Sequence, residues 1–292
     1  MAGEFRKTAD NLIEKIIFLC GILSIVFVSL IFIFLFKEGI SFFTDFSIFK
    51  FIGGRFWYPT SSPPQFGILS LIVGSIFVTA GACIIAVPIG IMTALYISEV
   101  APKWARDILK SLVELMAAVP SVVIGFIGMV TLVPLVKTVF NAPTGLTAFS
   151  GSVVLAFMAM PTIVTISEDA IRSVPWQYKE GALALGATKW QTIRRIVLKA
   201  AMPGIIAAIM LGIGRVIGET MAVMMVTGNA AQIPNSIFEP VRTMTATIAA
   251  EMGETVKGGV HYRGLFAIGL VLFTITFLVN FIADLFLGRS KK

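Results

Sequence analysis

Arg215 and Glu219 stand four residues apart in Gly214-Arg215-Val216-Ile217-Gly218-Glu219-Thr220-Met221-Ala222-Val223, inside a stretch that otherwise reads as a membrane-spanning helix. A charge within a bilayer costs on the order of a few kcal/mol or more unless paired or hydrated, so its default reading is functional. A spacing of four places both side chains on one helix face, where they neutralise each other. Arginine keeps its charge and presents a planar donor fork suited to tetrahedral oxyanions. A self-neutralised pair attracts an anion weakly. The favoured reading is therefore a movable pair, closed on itself in one state and releasing Arg215 to a travelling anion or a companion subunit in another. The alternative is a lock between helices that never touches substrate. Thr220 completes the candidate translocation site, and Gly214 and Gly218 form a small-xxx-small spacing that permits close helix approach.

A second constellation lies in the connection from Glu168 to Lys199: Glu180-Gly181-Ala182, then Gly186-Ala187-Thr188, then Ile196-Val197-Leu198. Apolar residues at helical spacing (Ala182, Leu185, Trp190, Ile193) among charges predict short amphipathic helices outside the membrane. Small residues around a glycine turn would let two such helices pack closely and the first enter a groove on a partner. Gly181 to Lys189 echoes a phosphate-binding loop, but Ala187-Thr188 follows Gly186 where Lys-Ser/Thr is required, so no ATP site is expected. His261, the single histidine, sits beside Tyr262 and Arg263 at a membrane edge and reads as structural. Glu168-Asp169 reads as a solvated or helix-linking pair. Pro120-Ser121 reads as a helix bend or as part of a pathway lining. Cys20 and Cys83 lie in apolar runs as small hydrophobes. No nucleophile, base or metal constellation is present, so neither catalytic residues nor a cofactor or metal are expected.

The elements that must position these residues are apolar. Of 292 residues 57% are hydrophobic and 13% charged, against about 25% charged in a soluble domain. The formal charge of +7 is spread among short segments, which excludes a nucleic-acid face. An all-α polytopic membrane domain over 1–292 is predicted, with spans at about 16–36, 66–98, 111–136, 149–167, 200–228 and 265–283. The run 66–98 would be roughly 50 Å long as a helix and must tilt, protrude or bend, with Pro88 a plausible bend point. The first run is too long for a signal peptide and no cleavage site follows it, so it is expected to remain attached. Lysine and arginine gather in alternate connections: Arg6, Lys7 and Lys15; Lys103, Arg106 and Lys110; the 168–199 segment; and Arg289, Lys291 and Lys292. Both termini are therefore expected in the cytoplasm. Segments 37–65 and 229–263, rich in Gly, Pro, Ser and Thr, are predicted as outer loops with short helices.

The pattern Glu180-Gly181-Ala182, Gly186, Ile196-Val197-Leu198 resembles the EAA loop of bacterial ABC importer permeases, with Lys199 in place of that motif's proline. The segment 214–223, the entry Gln65-Phe66-Gly67-Ile68-Leu69 and the closing His261-Tyr262-Arg263-Gly264-Leu265-Phe266-Ala267-Ile268-Gly269-Leu270 resemble the C subunit (PstC type) of phosphate-specific ABC transporters. The sister A subunit typically continues Gly-Glu-Thr-Ala-Pro, whereas Met221-Ala222 follows here. The resemblance implies a six-helix MetI-like permease in a prokaryotic cell membrane. Implied partners are an A-type sister permease, two ATP-binding subunits and an external phosphate-binding protein. It maps the family's functional arginine and glutamate onto Arg215 and Glu219, and ATPase coupling onto Glu180, Gly181, Ala182, Gly186, Ala187 and Thr188. An importer of another oxyanion such as sulfate, molybdate or phosphonate is the nearest alternative; a passive anion channel would need no docking loop.

Overall fold

A computed structural model describes residues 2–289, with side chains over 13–282. The side chains of Arg6, Lys7 and Arg289, and all of Lys291 and Lys292, lie outside the described part. The elements in order are α1 (Ala2–Phe42), α2 (Ile48–Gly53), β1 (Trp57–Tyr58), β2 (Gln65–Phe66), α3 (Leu69–Leu95), α4 (Lys103–Ala118), α5 (Ser121–Ile127), α6 (Val133–Val139), α7 (Ala148–Arg172), α8 (Trp176–Ala184), α9 (Lys189–Thr192), α10 (Leu198–Gly218), α11 (Met221–Val226), α12 (Met244–Glu251) and α13 (Val260–Arg289). Five-residue π turns extend α3 (Tyr96–Val100), join α5 to α6 (Gly128–Leu132) and join α9 to α10 (Ile193–Val197). Six helical segments are long and apolar enough to cross a membrane: Ile13–Phe42, Leu69–Val100, Ser121–Val139, Ala148–Arg172, Lys189–Gly218 and Val260–Ile282.

Helix bounds meet the apolar runs differently in three places. The run 111–136 is two helices, because Val119 is extended (φ −69°, ψ 126°) before Pro120, as the proline ring requires of its predecessor. Pro120 then leads into α5 with its own extended ψ. The run 200–228 breaks after Gly218. In the run 66–98, α3 passes through Pro88 uninterrupted, so the length is carried into the π turn and not into a break.

The centre of the bundle is α7, packed between α3 and α10. Ile163 of α7 fits between two glycines: a Cβ on Gly90 of α3 would lie 2.8 Å from its side chain, and one on Gly212 of α10 would lie 2.6 Å away. Ser152 of α7 is fully buried and donates to the carbonyls of Ala148 (2.9 Å) and Val78 of α3 (3.2 Å), so its hydroxyl is satisfied in an apolar interior. At the periphery α1 pairs with α13 through edge-to-face rings, Phe34 on Phe266 and Phe32 on Phe273. The rest of α1 exposes its apolar side chains, Phe18 at 70% and Ile25 at 69%. Exposure on that scale is stable where lipid is the solvent.

At the end of the bundle where α1 stops, α2 and the β1–β2 hairpin cover an aromatic cluster of Phe42, Phe51, Trp57 and Phe66. Glu251 of α12 pins this cap: its carboxylate accepts from Trp57 Nε1 (2.9 Å) and pairs with Arg242 Nη1 and His261 Nε2, both at 2.8 Å. His261 thus sits in a structural network that reaches Trp57, 194 residues from Glu251, while Arg242 and His261 lie close to Glu251 along the chain.

Glu168 joins helices. Its carboxylate on α7 is 2% exposed and lies 3.0 Å from Lys110 Nζ of α4, with Arg172 at 3.8 Å. The hydrogen bond to Glu168 is the main cause that raises the Lys110 pKa above 10.5. The lysine therefore contributes stability that is complete below the ordinary lysine range and lost as pH rises through the folded value. Lys110→Met is expected to cost on the order of 3 kcal/mol, because it leaves a buried carboxylate with only Arg172 at 3.8 Å to answer its charge. In thermal unfolding the deficit should stay constant across neutral pH and shrink only under strongly alkaline conditions.

Candidate translocation site and coupling helix

The break in the fifth span is built by Glu219. Its backbone is extended (φ −71°, ψ 134°) and ends α10. Its carboxylate Oε1 accepts the N–H of Ala222 at 3.3 Å, satisfying a donor that the start of α11 would otherwise leave open. Its carbonyl accepts from Thr245 Oγ1 of α12 at 2.9 Å. Thr220 donates to the Gly218 carbonyl at 3.2 Å. The expected pairing of Arg215 with Glu219 on one helix face is therefore corrected: the helix ends between them, and the extended residue turns the carboxylate toward α11. Among the described residues Arg215 has no ion-pair or hydrogen-bonding partner, and it is exposed on the single chain.

Gly214 and Gly218 flank Arg215, and a Cβ on either would meet nothing within 4 Å. Their spacing is thus not used for packing inside the chain; it leaves a flat, open strip beside the guanidinium. Sequence reasoning missed the support that α12 gives this strip. Thr245 grips Glu219, and Ser75 Oγ of α3 accepts the N–H of Met244 at 2.9 Å. The repeated threonines Thr243, Thr245 and Thr247 were a readable signal for a capped helix in that loop: Thr243 accepts from Ala246 at 3.2 Å as an N-cap.

The 168–199 segment folds as two short helices with a turn. Gly186 has φ +83°, the left-handed region that favours glycine. Around it, Gly186 N donates to Leu183 O (2.9 Å) and Ala187 N to Ala182 O (3.1 Å), the paired bonds of a Schellman helix stop. Thr188 and Gln191 close a reciprocal capping box at the start of α9. The small residues do not serve close packing between α8 and α9, as the sequence had implied: Gly181 has nothing within 4 Å of a would-be Cβ. They leave α8 smooth and open instead. Glu180 is exposed and accepts from Trp176 Nε1 at 2.6 Å. Trp176, Leu183, Leu185 and Trp190, on the same short helices and the turn between them, are exposed as well, Leu185 at 91%. Lys199, lacking the ring of the motif's proline, lets one helical segment run from Lys189 to Gly218.

Comparison with known proteins places this geometry. The family described as binding-protein-dependent transport system inner membrane component matches residues 86–292, which contain both sites. The Probable ABC transporter permease protein YqgH of Bacillus subtilis is 39% identical over 280 residues, covering 95% of this chain and 91% of its own. The phosphate transport system permease protein PstC of Mesorhizobium japonicum is 36% identical over 260 residues, covering 82% and 79%. PstC of Haemophilus influenzae is 33% identical over 265 residues, covering 83% and 84%. Among solved structures, a chain of the bacterial alginate ABC transporter in complex with its pentasaccharide-bound periplasmic protein aligns at TM-score 0.60 and 17% identity, over 93% of this chain and 95% of that one. A chain of the inward-facing MetNI methionine ABC transporter aligns at 0.58 and 18%, over 77% and 98%. Those two share the fold. The chain, a multi-pass membrane permease, belongs to the family of inner membrane components of binding-protein-dependent transport systems.

Proposed function

We propose that this chain is the membrane-spanning permease subunit of an ATP-driven importer of inorganic phosphate. The observation that carries the reading is a cation without a partner among the described residues, Arg215, on an open strip beside a helix break, in a chain with PstC relatives over most of its length. It works with an A-type sister permease, two ATP-binding subunits and an external phosphate-binding protein, with both termini in the cytoplasm. ATP is hydrolysed on the partner subunits.

Arg215 offers its fork to the passing anion. The carboxylate of Glu219, held at the start of α11, lies off the arginine in this state, so the guanidinium charge is available. Thr220 can offer its hydroxyl by giving up its local bond to Gly218. Alternating access follows if the two permeases rock about this region. Glu180, Gly181, Ala182, Gly186, Ala187 and Thr188 form the ATPase-facing element, whose exposed aromatic and aliphatic rim fits a partner groove.

The test is reconstitution of the full complex in vesicles with the external binding protein. ATP-dependent phosphate uptake is expected, with sulfate excluded. ATP-driven uptake of sulfate in its place would reassign the substrate, and phosphate flux without ATP would make the chain a channel.

A further inference from the structure

Glu99 takes no part in the sites above, yet its side chain is only 10% exposed. It lies in the π turn Tyr96–Val100 that ends the second apolar span. Lys179, 13% exposed, reaches it from α8 with Nζ 2.5 Å from Oε1. The same ammonium lies 5.6 Å from the centroid of the Trp176 ring, and that indole donates to Glu180. So α8 turns Glu180 outward and Lys179 inward. From α4, Arg106 grips the same π turn. Its Nε donates to the Ile97 carbonyl and its Nη2 to the Ser98 carbonyl, each at 2.9 Å. One five-residue segment is thereby held by α8 through an ion pair and by α4 through a guanidinium fork.

Desolvation makes a buried ion pair a weak source of stability, but opening it strands a charge in a poor solvent. Such a pair suits a joint that stays shut better than a latch that opens in every cycle. π turns are also frequent at functional sites.

We propose that Lys179 and Glu99 form a permanently closed joint that hands movement of α8 to the end of α3, with Arg106 passing it on to α4. Both are positioning residues. The proposal rests on reading the chain as an ATP-driven permease and names the groups that carry the displacement.

The assembled complex with its ATPase subunits and binding protein, in vesicles, provides the test. Glu99→Lys and Lys179→Glu should each leave the ATPase subunits bound and hydrolysing ATP, while phosphate uptake falls about tenfold or more, a coupling loss of ordinary size. Exchanging both charges together should restore most of the uptake. Singles that transport normally, or an exchanged pair no better than the singles, would overturn the joint. A second measurement avoids these residues altogether. In a background lacking Cys20 and Cys83, spin labels are placed at Tyr178 on α8, outside the docking rim, and at Met92 on α3, 56% and 62% exposed. Their separation should be the same in nucleotide-free and ATP-bound complexes, and a change of several ångström rejects the joint. This readout needs no transported substrate. A wild-type complex that hydrolyses ATP without taking up phosphate would therefore remove the substrate reading while the distance still judges the joint. Failure of the ATPase subunits to associate at all overturns both.

Discussion

Arg215→Gln is expected to give a complex that assembles in normal yield and transports phosphate about two orders of magnitude more slowly, the usual scale for deleting a key donor to an oxyanion. Assembly should survive because Arg215 has no partner among the described residues and both neighbouring glycines are open. Its removal strands no internal carboxylate, since Glu219 is engaged with the N–H of Ala222. Arg215→Lys keeps the charge but loses the planar fork, so an intermediate rate is expected. Glu219→Gln separates charge from architecture, because an amide oxygen can still accept from Ala222 and hold the break. Uptake assays with matched complex yields decide the matter. Wild-type rates in Arg215→Gln would remove the anion-contact role, and loss of assembly would make the arginine a lock between subunits.

Glu180→Lys should have the second largest effect, and on a different quantity. Glu180 is exposed on α8, and surface substitutions usually change stability by only about 0.5 kcal/mol. Here the loss of the Trp176 bond adds a modest amount. The permease should therefore fold and pair normally. Reversing the charge at the centre of a docking surface, however, commonly costs several kcal/mol of association. Co-purified ATPase is expected to drop at least about tenfold on that scale, and ATP-driven uptake with it. Stoichiometric ATPase with full uptake would show that α8 docks elsewhere or not at all. The two variants thus fail in opposite ways, one bound and silent, the other unbound.

Much of the candidate site was legible as residue types. Arg215 announced itself because few side chains are less welcome in hydrocarbon, and Gly186 because a helix stop needs a left-handed residue. What was misread was relation. Four-residue spacing implies a shared face only while the helix continues, and nothing local to Gly218-Glu219-Thr220 forbids continuation. The break is held from outside by Thr245, 26 residues later. Glu168 was read as solvated or linking. Its burial and its choice of Lys110, 58 residues earlier, depend on where α4 crosses α7. Glu99 and Lys179 gave no signal at all, because a charge near a membrane edge is ordinary until its partner is known.

Fold class, the six apolar crossings and the position of the short helices between the fourth and fifth of them were determined by the sequence alone, since lipid selects on local hydropathy and each helix satisfies its own backbone. Tertiary structure alone decided which charges meet, where the fifth span breaks and which glycines pack. Those outcomes depend on contacts between segments far apart in the chain, whose geometry no window of neighbouring residues contains.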